Sequence, residues 1–315
     1  MIGIIIPVYN RSDRFEEALC SLVGQNKKNF IVVVVDDGST EPIEEVVNKF
    51  KSRLNIQYIK KKQNEGVGLA RKDGLSWCYN NNDIEYIMFL DSDDILFPDA
   101  VLELSKAIVD NRADMVSSTV RTEQSTVHSM FVKAKNRIFL HGKIFDKRFL
   151  IRNSINFDNL TTNEDMGFLL KVVSCTTNIV YLSSDHYYFR KNLDSLTHKQ
   201  DDQAYLSVRS AGHIEAVYKA IIFIQKSNRP LNIEAVQAII ECYNFYQRCK
   251  VLKIDTTKIK AQLQYLYRIP EFLKYPYTAF ELNNTLKVIE PGFPLENQVY
   301  WYEQSYADFV REMLG

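Results

Sequence analysis

Hydrophobic and polar positions alternate in blocks along the first part of the chain. Short, largely apolar runs at 2–7, 30–35, 56–59 and 86–90 are each followed by polar residues, and 114–120 is predicted as a fifth strand. After most of these runs come segments with apolar residues three or four positions apart, as in amphipathic helices. Strands and helices alternating in this way predict an α/β fold, a Rossmann-like and mostly parallel sheet with flanking helices.

The pattern changes farther along the chain. Residues 141–152 and 163–175 are predicted as helices, and 179–182 and 187–189 as strands. Beyond about residue 200 the apolar spacing is helical and aromatic residues are frequent. We therefore predict two domains, an α/β domain at 1–200 and a helical C-terminal domain at 201–315.

Composition and charge narrow the possible functions. The 315 residues contain 39 Lys plus Arg and 39 Asp plus Glu, so there is no net field to attract nucleic acid. The five cysteines are odd in number and lack metal-binding spacing, which favours a cytoplasmic location. We see no leader peptide and no apolar run of the ~18 residues that span a bilayer, and therefore expect no integral membrane segment.

Polar clusters follow three of the predicted strands, at Pro7–Asn10, Asp36–Ser39 and Asp91–Asp94. In parallel sheets, ligands bind beyond the carboxyl ends of the strands. We therefore expect the three clusters to line one crevice.

The acidic cluster is the most informative of the three. If the chain stays extended there, Asp91 and Asp93 point to the same side and repel by about 4 kcal/mol at an effective dielectric near 20. Mg²⁺ or Mn²⁺ would reverse that repulsion, and would complete its coordination with water and a substrate phosphate. The alternative is a solvated turn that caps the next helix.

Six motifs in order resemble those of the inverting family-2 glycosyltransferases with the GT-A fold. They read IIIPVYN, VVVVDDGST, NEGVGLARKDGL, FLDSDD, NED and FRKNLDSLTH, and the resemblance covers residues 2–198. It implies metal-dependent transfer of a hexose or N-acetylhexosamine from a UDP-sugar to an acceptor hydroxyl, with inversion. Synthesis of a surface polysaccharide or glycoconjugate would be the setting.

The resemblance also assigns roles to residues. Asp165 would be the catalytic base, and Asp93 with His198 would bind Mn²⁺ or Mg²⁺. The donor nucleotide would contact Pro7, Tyr9, Asn10, Asp37, Asn64, Gly66, Arg71, Asp91, Ser92, Arg190 and Ser195. Without the resemblance, Asn163–Asp165 would be interpreted as a helix cap, Arg71 as a solvated residue and His198 as structural.

Other interpretations stay open. A nucleotidyltransferase is one alternative, although no glycine-rich phosphate loop follows the first strand, and a non-catalytic nucleotide-sugar-binding protein is another. The C-terminal helices would bind the acceptor or form a homo-oligomer, and His141, Lys143 and the aromatic residues near 265–280 are candidates for an acceptor pocket. Lys60–Lys62 is interpreted as a solvated strand end. A lipid-linked acceptor would require docking at the inner face of the membrane.

Overall fold

The computed structural model describes residues 1–122, 131–132, 139–190, 203–274 and 304–315. It divides into two compact units, Met1–Val172 with Thr176–Ser195 and Val173–Cys175 with Leu196–Gly315. The first unit contains a β-sheet flanked by helices, and the described part of the second is helical.

One sheet of nine strands organises the described part of the first unit. Its strands are β1 (Ile2–Val8), β2 (Phe30–Asp36), β3 (Ile56–Lys60), β4 (Tyr86–Phe89), β5 (Ile95–Leu96), β6 (Met115–Thr122), β7 (Phe131–Val132), β8 (Lys143–Asp146) and β9 (Ile179–Phe189). They lie in the order β3-β2-β1-β4-β8-β6-β9-β5, with β7 beside β6. The first four in this order are parallel, as the sequence predicts, so their carboxyl ends share one edge.

Helices pack against this sheet through their apolar faces. They are α1 (Ser12–Val23), α2 (Ile43–Phe50), α3 (Val67–Asn80), α4 (Ala100–Asp110), α5 (Lys147–Arg152) and α6 (Glu164–Cys175). Strands β1 and β2 are buried along their whole length, which explains their continuous apolar sequence. A glycine at position 74 brings α3 close to β1, since a Cβ there would lie 2.6 Å from Ile5 Cγ2.

Strand β8 is the main difference from the predicted elements. The helix predicted at 141–152 is wrong for residues 143–146, which pair antiparallel with β4 and with β6. Ile144 and Phe145 are fully buried in that position. Helix α5 begins only after Asp146, whose Oδ1 accepts a hydrogen bond from Phe149 N at 2.7 Å. The sheet is therefore mixed, because β5 and β7 also pair antiparallel.

The second unit contains α7 (Gln203–Lys226), α8 (Ile233–Val251), α9 (Thr257–Tyr267), a 3₁₀ turn (Phe272–Lys274) and α10 (Tyr306–Leu314). Phe309 of α10 is fully buried, and its ring centroid lies 5.1 Å from those of Tyr243 and Tyr267. The prediction of a helical C-terminal region is confirmed. Across the described ranges, we find no helix whose length and apolar character would allow it to cross a bilayer.

Candidate active site

The loops after β1 and β2 are joined by the side chain of Asn10. Its Oδ1 accepts hydrogen bonds from the backbone N of Thr40 at 3.0 Å and of Glu41 at 3.3 Å. Its own backbone N donates to Ser39 Oγ at 2.8 Å. Asn10 and Arg11 both have left-handed backbone conformations, with φ of 55° and 65°, which non-glycine residues rarely adopt. Within these loops, Asn10 therefore has a structural role whatever ligand it contacts.

Two other residues of the first motif occupy different environments. Pro7 lies inside β1, where it is buried and in register with Val35. Tyr9 is 44% exposed, so its ring is accessible to a ligand. Of the two predicted nucleotide contacts, Tyr9 is the better placed.

Asp37, a predicted contact of the donor nucleotide, binds the segment that precedes α3. Its Oδ1 accepts from Glu65 N at 3.1 Å and its Oδ2 from Gly66 N at 2.8 Å. Lys61 Nζ lies 3.1 Å from Asp37 Oδ1, and the Lys61 side chain is only 8% exposed. The interpretation of Lys61 as a solvated strand end is therefore wrong. Asn64, in the same segment, is exposed.

The acidic loop after β4 is a turn, because Asp94 N donates to Asp91 O at 3.1 Å. The side chains of Asp91 and Asp93 consequently have separate cationic partners. Asp91 Oδ1 lies 2.6 Å from Arg71 Nη2, and Asp93 Oδ2 lies 2.7 Å from Arg11 Nη1. Between them, Ser92 is buried.

Asp94 and His141 complete a cluster with Asp91. His141 Nε2 lies 3.1 Å from Asp91 Oδ2 and 4.0 Å from Asp94 Oδ2. Asp94 Oδ2 also accepts from the Tyr187 hydroxyl at 2.7 Å, and the ring of Tyr187 stacks on His141 with centroids 4.8 Å apart. One ligand atom from each of Asp91, Asp94 and His141 lies within 4.8 Å of the others. This trio is a candidate cation site, and it does not include Asp93.

The pKa values of the groups in this cluster differ strongly from their ordinary values. Burial raises the pKa of Asp94 to about 8, and repulsion from Asp91 and Asp93 adds to that effect. Burial opposes ionisation of Asp91 too, but Arg71 and His141 hold the pKa of its carboxyl well below the usual range. The pKa of His141 is raised, because its hydrogen bond and ion pair with Asp91 outweigh the effect of burial.

Arg71 links the acidic loop to the start of α6. Its side chain is 6% exposed, and its Nη1 is paired with Glu164 Oε1 while Nη2 holds Asp91. Asp165, the predicted base, follows Glu164 and accepts a hydrogen bond from Met166 N at 2.8 Å. Burial raises the pKa of Asp165, although Arg71 opposes the change. The alternative, in which Asn163–Asp165 mark the start of a helix, agrees with the structure in part, because Asn163 is at the N-cap position and both acids are in the first turn. The side chain of Asn163, however, makes no cap hydrogen bond and donates to Thr162 Oγ1.

Arg190 supports the acidic loop from β9. Its Nε donates to Asp93 O at 2.5 Å, its backbone N donates to Asp94 Oδ1 at 2.9 Å, and its Nη1 pairs with Glu17. Predicted contacts at Ser195 and His198 lie outside the described residues.

Comparison with known proteins shows the family of the chain. Residues 3–197 match the family model described as glycosyl transferase family 2. The chain belongs to glycosyl transferase family 2. The prediction of the family is therefore confirmed.

Relatives of this family-2 chain come from several bacteria. It is 33% identical over 144 residues to an uncharacterized glycosyltransferase of Rickettsia felis, covering 46% of this chain and 23% of the relative. It is 29% identical over 208 residues to the poly(ribitol-phosphate) beta-glucosyltransferase of Bacillus spizizenii, covering 60% of this chain and 32% of that one. The chain thus spans less than a third of either relative.

A solved structure confirms the predicted fold class. Residues 1–349 of Staphylococcus aureus TarS in complex with UDP superpose with a TM-score of 0.62 at 22% identity, covering 85% of this chain and 81% of that one. The poly(ribitol-phosphate) beta-N-acetylglucosaminyltransferase TarS is also 28% identical to this family-2 chain over 203 residues, which are 59% of this chain and 35% of TarS.

The Asp91–Asp94–His141 trio of this family-2 chain fits a divalent cation. Two carboxylates and an imidazole are donors that Mn²⁺ accepts, and the Asp94 carboxyl is 1% exposed beside two other acidic side chains. A divalent cation would offset the repulsion between Asp94 and the carboxylates of Asp91 and Asp93. The sequence motifs missed His141 as a candidate ligand, because it lies 50 residues from Asp91 and belongs to none of them.

Proposed function

We propose that this chain transfers a hexose or N-acetylhexosamine from a UDP-sugar to a hydroxyl of an acceptor, with inversion and with the help of Mn²⁺ or Mg²⁺. One observation carries the proposal. A continuous series of paired charged groups runs from His141 through Asp91 and Arg71 to Glu164, next to Asp165. This series connects a candidate cation site to a carboxylate of raised pKa, which supports a donor end and a basic end close to each other.

On the donor side, Asp91, Asp94 and His141 would hold the divalent cation. When bound, the cation would stabilise the negative charge that develops on the departing diphosphate. Arg11, which pairs with Asp93, adds a fixed positive charge to the same loop. Asp93 and His198 remain predicted ligands from the family resemblance.

On the acceptor side, Asp165 would take the proton from the attacking hydroxyl. An ordinary aspartate has a pKa of about 3.9, far below that of an alcohol, so the proton moves late, as the new carbon–oxygen bond forms. The raised pKa of Asp165 makes it a stronger base than an ordinary aspartate. A single displacement of this kind inverts the anomeric carbon without a protein nucleophile.

The names of two relatives support a proposal for the acceptor class. Two of them carry names that specify poly(ribitol phosphate) as the acceptor, one as a glucosyltransferase and one as an N-acetylglucosaminyltransferase. UDP-glucose, UDP-N-acetylglucosamine and a polyol-phosphate polymer are therefore the first substrates to assay. We further propose a cytoplasmic enzyme, acting in the cell or at the inner face of the membrane, whose C-terminal helices bind the acceptor or a second copy of the chain.

The test measures UDP release from a panel of UDP-sugars, with Mn²⁺ or with EDTA. Asp165→Asn should lower turnover by about 10²–10⁴-fold while UDP still binds. Asp13→Asn, the same change at an exposed first-turn acid of α1, is the matched control and should leave turnover unchanged. Wild-type turnover of Asp165→Asn would refute its role as base. Release of pyrophosphate, or UDP binding without turnover by the wild type, would refute the proposed reaction.

A further inference from the structure

Arg71 bridges two elements that are distant in sequence. It lies on α3, and its two terminal nitrogens bind the loop after β4 through Asp91 and the first residue of α6 through Glu164. Arg71 and Glu164 are both buried. We call this arrangement the Arg71–Glu164 bridge.

We infer that Arg71 and Glu164 are positioning residues, which fix the distance between the acidic loop and Asp165. The inference rests on the proposed function, in which Asp165 is the base. Asp165 follows Glu164 directly at the start of α6, so a shift of Glu164 moves Asp165 with it. A displacement of about 1 Å at a reacting group can lower a rate by about 10²-fold.

The start of α6 receives no capping hydrogen bond from the side chain of Asn163, which leaves the bridge as a contact that can hold it in place. Asn163 precedes the helix in the left-handed conformation, with φ of 59°, and its side chain makes no capping hydrogen bond. In its first turn, Glu164 contacts α3 through the hydrogen bond with Arg71. The position of Asp165 is therefore set from α3.

Gly68 gives independent support for close packing at this point. It lies one turn before Arg71 on α3, on the same face. A Cβ at position 68 would lie 3.1 Å from both Cβ and Cγ of Glu164, and 3.4 Å from Leu160 O. The side chain of Glu164 is thus held between the first turn of α3 and the guanidinium one turn later.

The bridge also explains why position 71 requires arginine. A guanidinium presents several donors in a rigid fork, so two of its nitrogens can bind two separate carboxylates. The single ammonium of a lysine is a compact point charge and cannot span both in this geometry. This role differs from the predicted contact of Arg71 with the nucleotide, which would appear as a loss of UDP affinity.

The experiment changes Glu164 rather than Arg71, because Arg71 also holds Asp91. Glu164→Ala removes the bridge, and Glu164→Gln keeps an oxygen that accepts from Arg71. Glu45→Ala, an exposed acid in the first turn of α2, is the matched control for the loss of a helix-terminal charge. UDP affinity is measured by calorimetry, and kcat and KM are measured with UDP-N-acetylglucosamine or UDP-glucose. Exchange of the first amides of α6 is measured by hydrogen–deuterium exchange.

Glu164→Ala should lower kcat by about 30–100-fold. Its affinity for UDP should stay within about threefold of the wild type, a free-energy change below 1 kcal/mol. Amides of α6 should exchange about tenfold faster, because the first turn opens more often. Glu164→Gln should recover most of kcat, and Glu45→Ala should change none of these quantities.

Each contrary result has its own meaning. Unchanged exchange in Glu164→Ala would show that the bridge does not hold α6. Faster exchange with unchanged kcat would show that it holds α6 but does not position the base. A Glu164→Gln variant as slow as Glu164→Ala would assign the effect to charge, and these three results each overturn the inference. Failure of the proposed function is separate, since it appears as wild-type turnover of Asp165→Asn whatever Glu164 does.

Discussion

Replacing Asp37 by asparagine should lower the stability of the folded protein even without a ligand. The carboxylate of Asp37 accepts from Glu65 N at 3.1 Å and Gly66 N at 2.8 Å, and Lys61 Nζ lies 3.1 Å away. Asparagine has one acceptor oxygen, so its amide nitrogen would face a donor. Losing a charge-assisted hydrogen bond costs about 1.5–3 kcal/mol, and an unpaired buried donor costs about 1–3 kcal/mol. We expect the free energy of unfolding to fall by about 2–4 kcal/mol.

Urea unfolding tests this value. A Trp301→Phe background leaves Trp77, on α3, as the only tryptophan in the sequence, so fluorescence reports on the helix that follows the Asp37-bound segment. Asp73→Asn is the matched control. Asp73 also faces Lys61, at 3.4 Å, but its side chain is 47% exposed. Its replacement should therefore lower the free energy of unfolding by less than about 0.5 kcal/mol. If the free energy of unfolding falls as little for Asp37→Asn as for Asp73→Asn, the structural role of the Asp37 carboxylate is refuted.

Three further predictions concern stability. Burial lowers the pKa of His213 to about 3, so protonation favours the unfolded state. The free energy of unfolding should therefore fall as the pH drops from about 6.5 towards 3, by up to about 1.4 kcal/mol per pH unit, and calorimetry of His213→Leu should show a smaller slope. Gly74→Ala should lose about 1–3 kcal/mol in urea unfolding, because the new Cβ would lie 2.6 Å from Ile5 Cγ2. Asp146→Ala should lose about 1 kcal/mol through the missing cap to Phe149 N, measured in the same way.

Controls for these predictions are available in the same chain. Gly24→Ala places its Cβ 3.5 Å from the nearest atom, and its unfolding should differ from the wild type by about 0.5 kcal/mol or less. Asp146→Ser should keep the cap, since serine is also a good capping residue. An unchanged pH slope in His213→Leu, or equal stability of Gly74→Ala and Gly24→Ala, would contradict the reasoning.

The strands and the positions of the polar loops could be predicted because the information is local. Buried parallel strands are continuously apolar, and the polar cluster after each one marks its carboxyl end. Strand β8 is different. Its residues 143–146 take strand geometry because they fill the space between β4 and β6, and no local pattern reports that.

The partners of the charged residues could not be predicted for the same reason. Lys61 is buried because Asp37, Glu65 and Asp73 surround its ammonium, and only the folded loops bring them there. Asp91 and Asp93 were expected on one side of an extended chain, but a turn gives them separate partners. Spacing along a strand applies only while the chain remains a strand.

The hydrogen bonds that Asp94 receives from the end of β9 also limit when the acidic turn can form during synthesis of the chain. Arg190 N and the Tyr187 hydroxyl bind the Asp94 carboxyl, and the first of these is 96 positions away. At about 5–20 residues per second, a ribosome needs about 5–20 s to make the intervening chain. Until then the nascent acidic turn lacks both donors. The shortest fragment worth expressing as an independent donor-binding domain must therefore extend past Arg190.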